Sequence, residues 1–455
     1  MAGYLFFFII VIYYFHAVVL SKLIFIERDL SSFFIPPRYL WVTLLKSFEM
    51  PFWNQYNYTG IPLLATIQPG ILYPPHIMYL LLPFNIAWNW LIILHFLFAG
   101  LSTYILLKYL KASKEGSFLG AVTFTFSGYL LSVHNLLPHL LAVAWFPLIM
   151  MLFIKYYDTR KTKFIVFTAL AITLQFFTGA LEIVIMTGFV LCIISIFIKS
   201  FIEHNIGCYL RLKVMFLVLF LSFLLSSIQL LPFYELKLQS IRYSGLSYFE
   251  ATTWSFAWKD FVQFFLPNVY GYFQNDQKYW LNQSWLKTIY LGIMPFVLSI
   301  FYFLSKDRKK IIFFLLILLS FIFALGNNTP LYKLLYHIPP FNSVRYPVKF
   351  LFLFFVIISI TTGLGFDALK KGIEEKNPRT KIMIRSIFYF GFLFVLAWGY
   401  IMLFKDNVYN LFDRMGIKPD VYNDINYNIH NIKRFLFFSF LFCTMLLVAL
   451  PSVPI

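Results

Sequence analysis

Three charged residues stand together where the first apolar segment of this chain ends: Glu27, Arg28 and Asp29, within "IERDLSSFFIPPRYLW". A carboxylate at a membrane surface can act as a general base, which removes the proton of a hydroxyl group while its oxygen attacks an activated carbon. The same triplet can equally be a charged stop at the end of a membrane span, solvated by lipid headgroups. The residues alone leave both interpretations open.

Glu182 and two histidines are the other residues that could move protons or bind a substrate. Glu182 lies in "FFTGALEIVIM", between two apolar segments, where an ionisable side chain is costly. It could orient an acceptor substrate, or it could simply face interfacial water. His134 and His139 flank "NLLP" in another short connection. They could contact an acceptor, but their spacing matches no metal motif and is typical of hydrogen-bonded interface residues.

Cationic residues at the starts of apolar segments could hold a phosphate. Arg345 lies in "NSVRYPVKF", with Lys349 one helical turn later, and Arg242 lies in "QSIRYSG". Arginine binds phosphate through two parallel hydrogen bonds, and lysine adds a point charge. The alternative is that these side chains extend toward lipid headgroups, which gives the same sequence pattern. We favour Arg345 over Lys349 and Arg242.

The composition places these residues in a polytopic membrane protein. Of the 455 residues, 60% are hydrophobic, 22% aromatic and only 12% charged, whereas soluble domains carry roughly twice that charged fraction. We therefore predict an all-α integral membrane protein, a single polytopic transmembrane domain over residues 1–455, with juxtamembrane helices in long outer loops. Apolar runs long enough to cross a bilayer predict about twelve spans. They are 4–25, 88–107, 116–133, 139–155, 164–178, 182–198, 214–232, 289–304, 311–325, 350–369, 383–404 and 434–450.

The positions of the basic residues predict the orientation. The net charge is +18, and about 20 of the 37 Lys and Arg lie in short connections that share one side of the membrane if the N-terminus is cytoplasmic. Basic residues favour the cytoplasmic side, so they act as topology signals and not as a nucleic-acid surface. The start "MAGYLFFFII" lacks the basic residues of a signal peptide, so we expect the first span to be retained. The long outer loops are then 26–87, 233–288, 326–349 and 405–433.

The first outer loop begins with a predicted juxtamembrane helix. Its sequence "RYLWVTLLKSFE" has apolar residues at helical spacing, with Arg38, Lys46 and Glu49 set apart from them. Such a helix is expected to lie flat in the membrane interface. The Pro36-Pro37 pair would start it.

Several blocks in the outer regions resemble the YfhO family of bacterial membrane proteins. The blocks are Trp53, Asn54 and Tyr56 followed by "GIP" and "YPP", then "FTFSGYLLSVHNLLPHLLAVAWFPL", "QLLPFYEL", "GLSYFEATTWSF", "FLPNVYG" and "TPLYKLLYHIPPFNSVRYPVKF". They occur in the family's order and run from about residue 27 to residue 370. The family usually continues into a further outer-face region, whereas this sequence ends at "LPSVPI", so we expect a short or truncated member.

The resemblance implies a GT-C type glycosyltransferase with many membrane helices. It implies a polyprenyl-phosphate sugar as donor and transfer on the outer face of the bacterial cytoplasmic membrane. The acid that the family pattern places in the first outer loop falls on Asp29, with Glu27 less favoured because it lies nearer the span. Trp53, Asn54 and Tyr56 could then contact the sugar, although aromatic residues at interfaces are common without any ligand.

Our sequence-based prediction is thus a membrane glycosyltransferase with an extracytoplasmic polymer or glycolipid of the cell envelope as acceptor. The expected partners are membrane lipid, the lipid-linked donor and the acceptor, and not nucleic acid. No cofactor is expected, and a divalent cation stays open because the isolated acids form no recognisable cation site. The alternatives are a transporter or flippase of lipid-linked glycans and a non-catalytic envelope assembly protein. ATP-driven transport and soluble-type hydrolase chemistry lack their sequence motifs here.

Overall fold

The computed structural model describes residues 2–265 apart from 204 and 242, residues 285–378 apart from 340, and scattered residues between 380 and 410. This part of the chain is mostly helical. Its α-helices are α1 (Ala2–Tyr14), α2 (His16–Val19), α3 (Ile35–Lys46), α4 (Met78–Leu81), α5 (Phe84–Tyr109), α6 (Lys114–Thr125), α7 (Gly128–Val133), α8 (Leu137–Thr159), α9 (Lys163–Phe177), α10 (Leu181–Ile196), α11 (Cys208–Leu238), α12 (Tyr248–Ala251), α13 (Ile293–Leu304), α14 (Lys310–Ala324), α15 (Leu331–Tyr336) and α16 (Leu351–Glu374).

Short turns and one small hairpin complete the described elements. Strands β1 (Trp53–Asn54) and β2 (Ile61–Pro62) pair antiparallel. A single π-helical turn covers Leu30–Phe34. The 3₁₀ turns are Pro74–Ile77, Ile198–Ser200, Trp258–Phe264, Gly326–Asn328, Phe341–Ser343 and Pro347–Phe350.

The helix lengths agree with a membrane-embedded protein. Five segments are long and apolar enough to cross a bilayer, and several shorter apolar helices accompany them. Each of the first ten predicted spans contains a described apolar helix, so the predicted all-α membrane class is confirmed. The predicted span 434–450 and nearly all of the predicted outer loop 405–433 lie outside the described residues, and 383–404 is described only at scattered positions. The five long segments are Phe84–Tyr109, Lys114–Val133, Leu137–Thr159, Cys208–Leu238 and Pro347–Glu374.

Helix α16 forms the centre of the described bundle. Its apolar stretch is buried along its whole length, and it packs against α6, α13 and α14. On the other side, α5 packs on α6 and α8, followed by α9 and α11. An apolar helix can be buried against neighbouring helices on every side. The contacts of α16 with α6, α13 and α14 account for its burial.

Successive helices alternate in direction, so the connections fall into two sets. One end of the bundle carries residues 20–34, 134–136, 178–180, 285–292 and 345–350, and we call it the site end. The opposite end carries the lysine-rich connections 110–113, 160–162 and 305–309. All the site residues discussed below belong to the site end or to the loops that extend from it.

The first predicted span differs from the structure. We expected a continuous span over 4–25, but α1 ends at Tyr14, and only the short α2 follows before the helix stops at Val19. The chain beyond is extended because side chains at the start of α5 form hydrogen bonds with its backbone. The charged triplet therefore follows a non-helical segment and not the end of a helix.

The juxtamembrane helix is confirmed, but its polar face is not as expected. Helix α3 begins at Ile35 with prolines in its first turn, as the Pro36-Pro37 pair predicted. Arg38 was expected to stand apart from the apolar side, whereas its exposure is 0%. Its guanidinium donates to the carbonyl oxygens of Phe34 and Gln68. The prediction for Arg38 was wrong because the following loop folds back over this face of the helix.

The orientation stays a prediction that thiol labelling can test. In a chain whose own cysteines, Cys192, Cys208 and Cys443, are replaced by serine, Ser47→Cys should react in intact cells with a membrane-impermeant maleimide. Arg308→Cys should react only after the cells are permeabilised, because its basic connection is expected in the cytoplasm. Both positions are exposed. Labelling of position 308 in intact cells would reverse the orientation.

Candidate functional site

The site end contains two clusters of the same composition, each with one glutamate, one lysine and one histidine. The first cluster is Glu27, Lys287 and His134. The second cluster is Glu182, Lys349 and His139. In each cluster the residues come from connections or helix starts that lie far apart in the sequence, so the fold creates both.

In the first cluster the carboxylate of Glu27 forms an ion pair with Lys287. Burial lowers the pKa of Lys287 to about 8, so the lysine still carries its proton at neutral pH. The His134 Nδ1 donates to the carbonyl oxygen of Leu131 at 2.6 Å, which leaves its Nε2 facing Glu27 at 3.9 Å. Burial also lowers the pKa of His134. The histidine is therefore neutral at pH 7 and adds no charge to the pair.

In the second cluster two side chains hold one carboxylate oxygen. Both Lys349 Nζ and His139 Nε2 donate to Glu182 Oε1, the histidine at 3.0 Å. The side chains are largely buried, with 8% of Lys349, 12% of His139 and 21% of Glu182 exposed. A carboxylate that accepts two such hydrogen bonds has its charge compensated, and is a weak base. Glu182 is thus suited to fix the positions of Lys349 and His139.

Trp285 packs on the second cluster and is close in sequence to the lysine of the first. Its ring centroid lies 5.6 Å from Lys349 Nζ and 5.0 Å from the His139 ring, and Lys287 follows two residues later. Asn135, next to His134, is fully buried. Neither its amide oxygen nor its amide nitrogen has a hydrogen-bond partner among the described residues. The segment 285–287 thus contributes a residue to each cluster or its surroundings.

Helix α5 fixes the segment that leads to Glu27. The side chain of Asn89 accepts from the amide of Phe25 at 3.3 Å and donates to the carbonyl of Leu23 at 2.8 Å. The indole of Trp88 donates to the carbonyl of Phe25 at 2.8 Å. Three hydrogen bonds from side chains at the start of α5 thus hold the beginning of the first outer loop in place.

A close backbone approach fixes Lys287. The amide of Gly128 donates to the carbonyl of Tyr290 at 2.8 Å, and a Cβ at Gly128 would lie 2.5 Å from Tyr290 N. Ser132 Oγ accepts from the amide of Lys287 at 3.1 Å and donates to the carbonyl of Thr288 at 2.7 Å. Only glycine allows this approach. The segment 285–290 is therefore held against α7. In this position Lys287 reaches Glu27.

A second glycine sets the position of Glu182. Gly179 has a φ of +95°, and a Cβ there would lie 2.7 Å from the Cα of Gln68. The first outer loop thus packs on the turn before α10. Glu182 lies in the first turn of that helix, where the helix dipole favours an acidic side chain.

Asp29 and Arg345 lie beside the clusters without joining them. Asp29 is half-buried, and among the described residues its carboxylate has no ion pair. Arg345 is also half-buried and has no carboxylate partner in the same part of the chain. Its guanidinium carbon lies 4.9 Å from the ring centroid of Tyr346, and Lys349 Nζ lies 5.3 Å from the same centroid. Within the described part of the chain, neither Asp29 nor Arg345 thus forms an ion pair, although the charge of Asp29 acts on neighbouring Arg28.

The remaining predicted site residues are not brought to the clusters. Asn54 is buried and accepts from the amide of Tyr56 at 3.0 Å, whereas Trp53 and Tyr56 are exposed on the hairpin. Asn54 and Tyr56 line a separate cavity. Arg242 lies outside the described residues. Within the described ranges no group of three or more side chains could hold a metal ion.

Lys287 and Trp285 are the site residues that sequence analysis missed. Both lie in "QSWLKTIY", which shows no motif and which we had counted only as the end of a long outer loop. The signal that could have found them is a lysine and a tryptophan just before an apolar segment.

Comparison with known families decides what kind of protein contains this arrangement. The family described as "Bacterial membrane protein YfhO" matches residues 7–449, nearly the whole chain. The chain is a member of the YfhO family. Among the curated proteins and the solved structures no match to this YfhO protein is found. Family membership supports a membrane protein of the cell envelope, and it confirms the resemblance on which the sequence analysis relied.

Proposed function

We propose that this protein is a GT-C type glycosyltransferase, which moves a sugar from a polyprenyl-phosphate carrier to a polymer or glycolipid outside the bacterial cytoplasmic membrane. The proposal includes the complete set of about twelve spans and a cytoplasmic N-terminus. It rests on membership of the YfhO family, and that family is linked to glycosylation. It rests also on the acids and cations that lie at the site end.

One observation carries the proposal. The first outer loop contains Asp29, an acid that forms no ion pair with any described residue, two residues from Glu27, which is itself paired with Lys287 of a distant loop. The same end of the bundle presents Arg345, a cation without a carboxylate partner in the described part of the chain. Base and phosphate ligand are the two groups that this transfer requires.

The reaction assigns each group one role. The acceptor hydroxyl oxygen attacks the anomeric carbon of the donor, and the bond from that carbon to the carrier phosphate breaks. The electron pair of that bond leaves with the phosphate, and the hydroxyl proton passes to the carboxylate of Asp29. Arg345 stabilises the charge on the departing phosphate through two hydrogen bonds. Glu182 and His139 are positioning residues, because they hold Lys349 beside the Tyr346 ring.

The ion pairs of the other candidates support the ranking that the sequence suggested for the base and for the cation. Glu27 and Glu182 are both paired with lysines, so Asp29 is the acid that can accept a proton without first breaking an ion pair. Lys349 is committed to Glu182, so Arg345 ranks first as ligand of the donor phosphate. His134, which follows α7 directly, is the candidate for contact with the acceptor, whereas His139 lies in the first turn of α8 and is bonded to Glu182.

An assay on washed membranes separates this function from its alternatives. Membranes that contain the protein are incubated with polyprenyl phosphate carrying a labelled sugar, and free polyprenyl phosphate is measured. An enzyme releases free polyprenyl phosphate as the labelled sugar moves to the acceptor. A transporter or flippase moves the intact donor across the membrane without releasing polyprenyl phosphate. An assembly protein neither releases polyprenyl phosphate nor moves the donor.

The conservative change Arg345→Lys tests the phosphate ligand. Lysine keeps the charge but cannot form the paired hydrogen bonds, and a hydrogen bond to a charged group is worth roughly 1.5–3 kcal/mol. We therefore expect kcat/KM for the donor to fall by about 10- to 100-fold, with the amount of protein in the membrane unchanged. The control is the reverse exchange Lys333→Arg, at an exposed residue of α15, which should have almost no effect. Unchanged kinetics in Arg345→Lys would show that this arginine only contacts lipid headgroups.

A further inference from the structure

A buried arginine, which has no carboxylate partner among the described residues, lies under the first outer loop. Arg38 of α3 is completely buried, and its guanidinium donates to the carbonyls of Phe34 at 3.0 Å and Gln68 at 2.8 Å. Arginine has five N–H donors. Two are used here, and Nε has no partner among the described residues. No carboxylate of that part of the chain pairs with it.

Arg38 stays protonated, and no carboxylate among the described residues compensates its charge. Burial lowers the pKa of Arg38 to about 10, so it stays protonated at neutral pH. Its neighbours are uncharged: Tyr79, Trp41 and the neutral His76, whose pKa is lowered by burial and by Arg38 itself. In each of these three, one buried polar atom also lacks a partner in the described structure. A lone buried charge costs several kcal/mol unless an opposite charge approaches it.

A cavity of about 680 Å³ adjoins this arginine. Arg38 forms part of the wall, although none of its own surface is open to water, so it acts on the interior mainly through its charge. Most of the wall is apolar or aromatic, and Phe33 and Tyr39 are more than half exposed. The polar groups of the wall are Ser32, Thr43, Asn54, Tyr56, Asn57, Thr66 and Gln68. No acidic residue lines it.

We propose that this cavity is a binding site for a phosphate-bearing amphiphile, whose headgroup neutralises Arg38 and whose apolar part lies against the aromatic wall. The volume of the cavity is large enough for the headgroup of such a lipid and the first part of its acyl tails. The site does not share lining residues with the two clusters, and the proposal does not depend on glycosyl transfer. It is a second ligand site of the first outer loop, separated from Glu27 and Asp29 by the Leu30–Phe34 turn.

Thermal unfolding of the full-length protein in a neutral maltoside detergent tests this site. The probe is dihexanoyl phosphatidic acid, compared with dihexanoylglycerol, which has the same tails without phosphate, and with inorganic phosphate. Phosphatidic acid should raise the unfolding temperature in a saturable manner, because a ligand that binds only the folded state stabilises it. The diacylglycerol and inorganic phosphate should give little effect at equal concentration. An equal effect of inorganic phosphate or of the diacylglycerol would overturn the assignment.

Two variants assign the effect to the cavity. Arg38→Met should weaken binding of phosphatidic acid by about 10- to 100-fold, and should leave the ligand-free protein as stable as before or more stable, since it removes an uncompensated buried charge. Thr43→Trp at the exposed edge of the cavity keeps Arg38 and should weaken binding by blocking the space. Full binding in both variants, with loss in Arg345→Met, would place the ligand at the donor site and refute the proposal.

Discussion

Replacing Asp29 with asparagine should leave the protein folded and inserted but reduce transfer by about 10²- to 10⁴-fold, the usual cost of losing a general base. The change removes one negative charge and keeps the shape of the side chain. The carboxylate has no ion pair in the described structure, so its loss breaks none, although it removes a negative charge that acts on the half-buried Arg28. Donor binding is expected to stay within about threefold, because Arg345 is untouched and the base contributes to the transition state more than to the bound state. The measurement is turnover with saturating donor and acceptor.

The matched change Glu27→Gln separates the base from its neighbour. It lies two residues away and breaks the pair with Lys287, so it should lower stability more than Asp29→Asn does. We expect it to lower turnover less, because the proton acceptor remains. If Glu27→Gln abolishes transfer while Asp29→Asn is fully active, the roles of the two acids must be exchanged.

Removing the buried lysine of the second cluster should have the largest effect on stability. In Lys349→Met the carboxylate of Glu182 loses its main cation and stays largely buried with His139 alone. Breaking a buried ion pair from one side costs about 3–5 kcal/mol, which is a large part of the stability of a typical domain. We expect a clear fall in the unfolding temperature in detergent, together with loss of transfer.

A double change tests the cause of that instability. Lys349→Met combined with Glu182→Gln removes both charges, so no uncompensated ion is left in the site. It should recover most of the lost stability, because a buried pair is often replaceable by neutral groups of similar size. Transfer should not recover, since Lys349 no longer lies beside Tyr346. If the double variant is as unstable as Lys349→Met, the pair does not explain the stability of this region.

The membrane class and the positions of most apolar helices could be predicted because the bilayer imposes a length and a composition on each helix. The start of α3 was also predictable, since a proline pair favours the first turn of a helix. The non-helical segment after Val19 could not be predicted, because most of its residues are as apolar as those of a span. Hydrogen bonds from Asn89 and Trp88, far along the chain, decide its conformation.

The candidate site was predictable only in part. Glu182, Lys349, His134 and His139 stood out because charged or polar side chains at span ends are uncommon. Their pairing could not be predicted, since it depends on which connections meet at one end of the bundle. Lys287 depends on the close contact at Gly128, and nothing in its own sequence indicates that contact.

The central claim, that this protein transfers sugar and uses Asp29 as the base, is tested most directly with purified protein in lipid vesicles. A polyprenyl phosphate carrying a radiolabelled sugar is added with a membrane extract as the source of acceptor, and free carrier phosphate and labelled acceptor are measured together. We predict that both products form in equal amounts with the unchanged protein and fall to background with Asp29→Asn. Intact donor recovered without either product, from protein that binds it normally, would contradict the account.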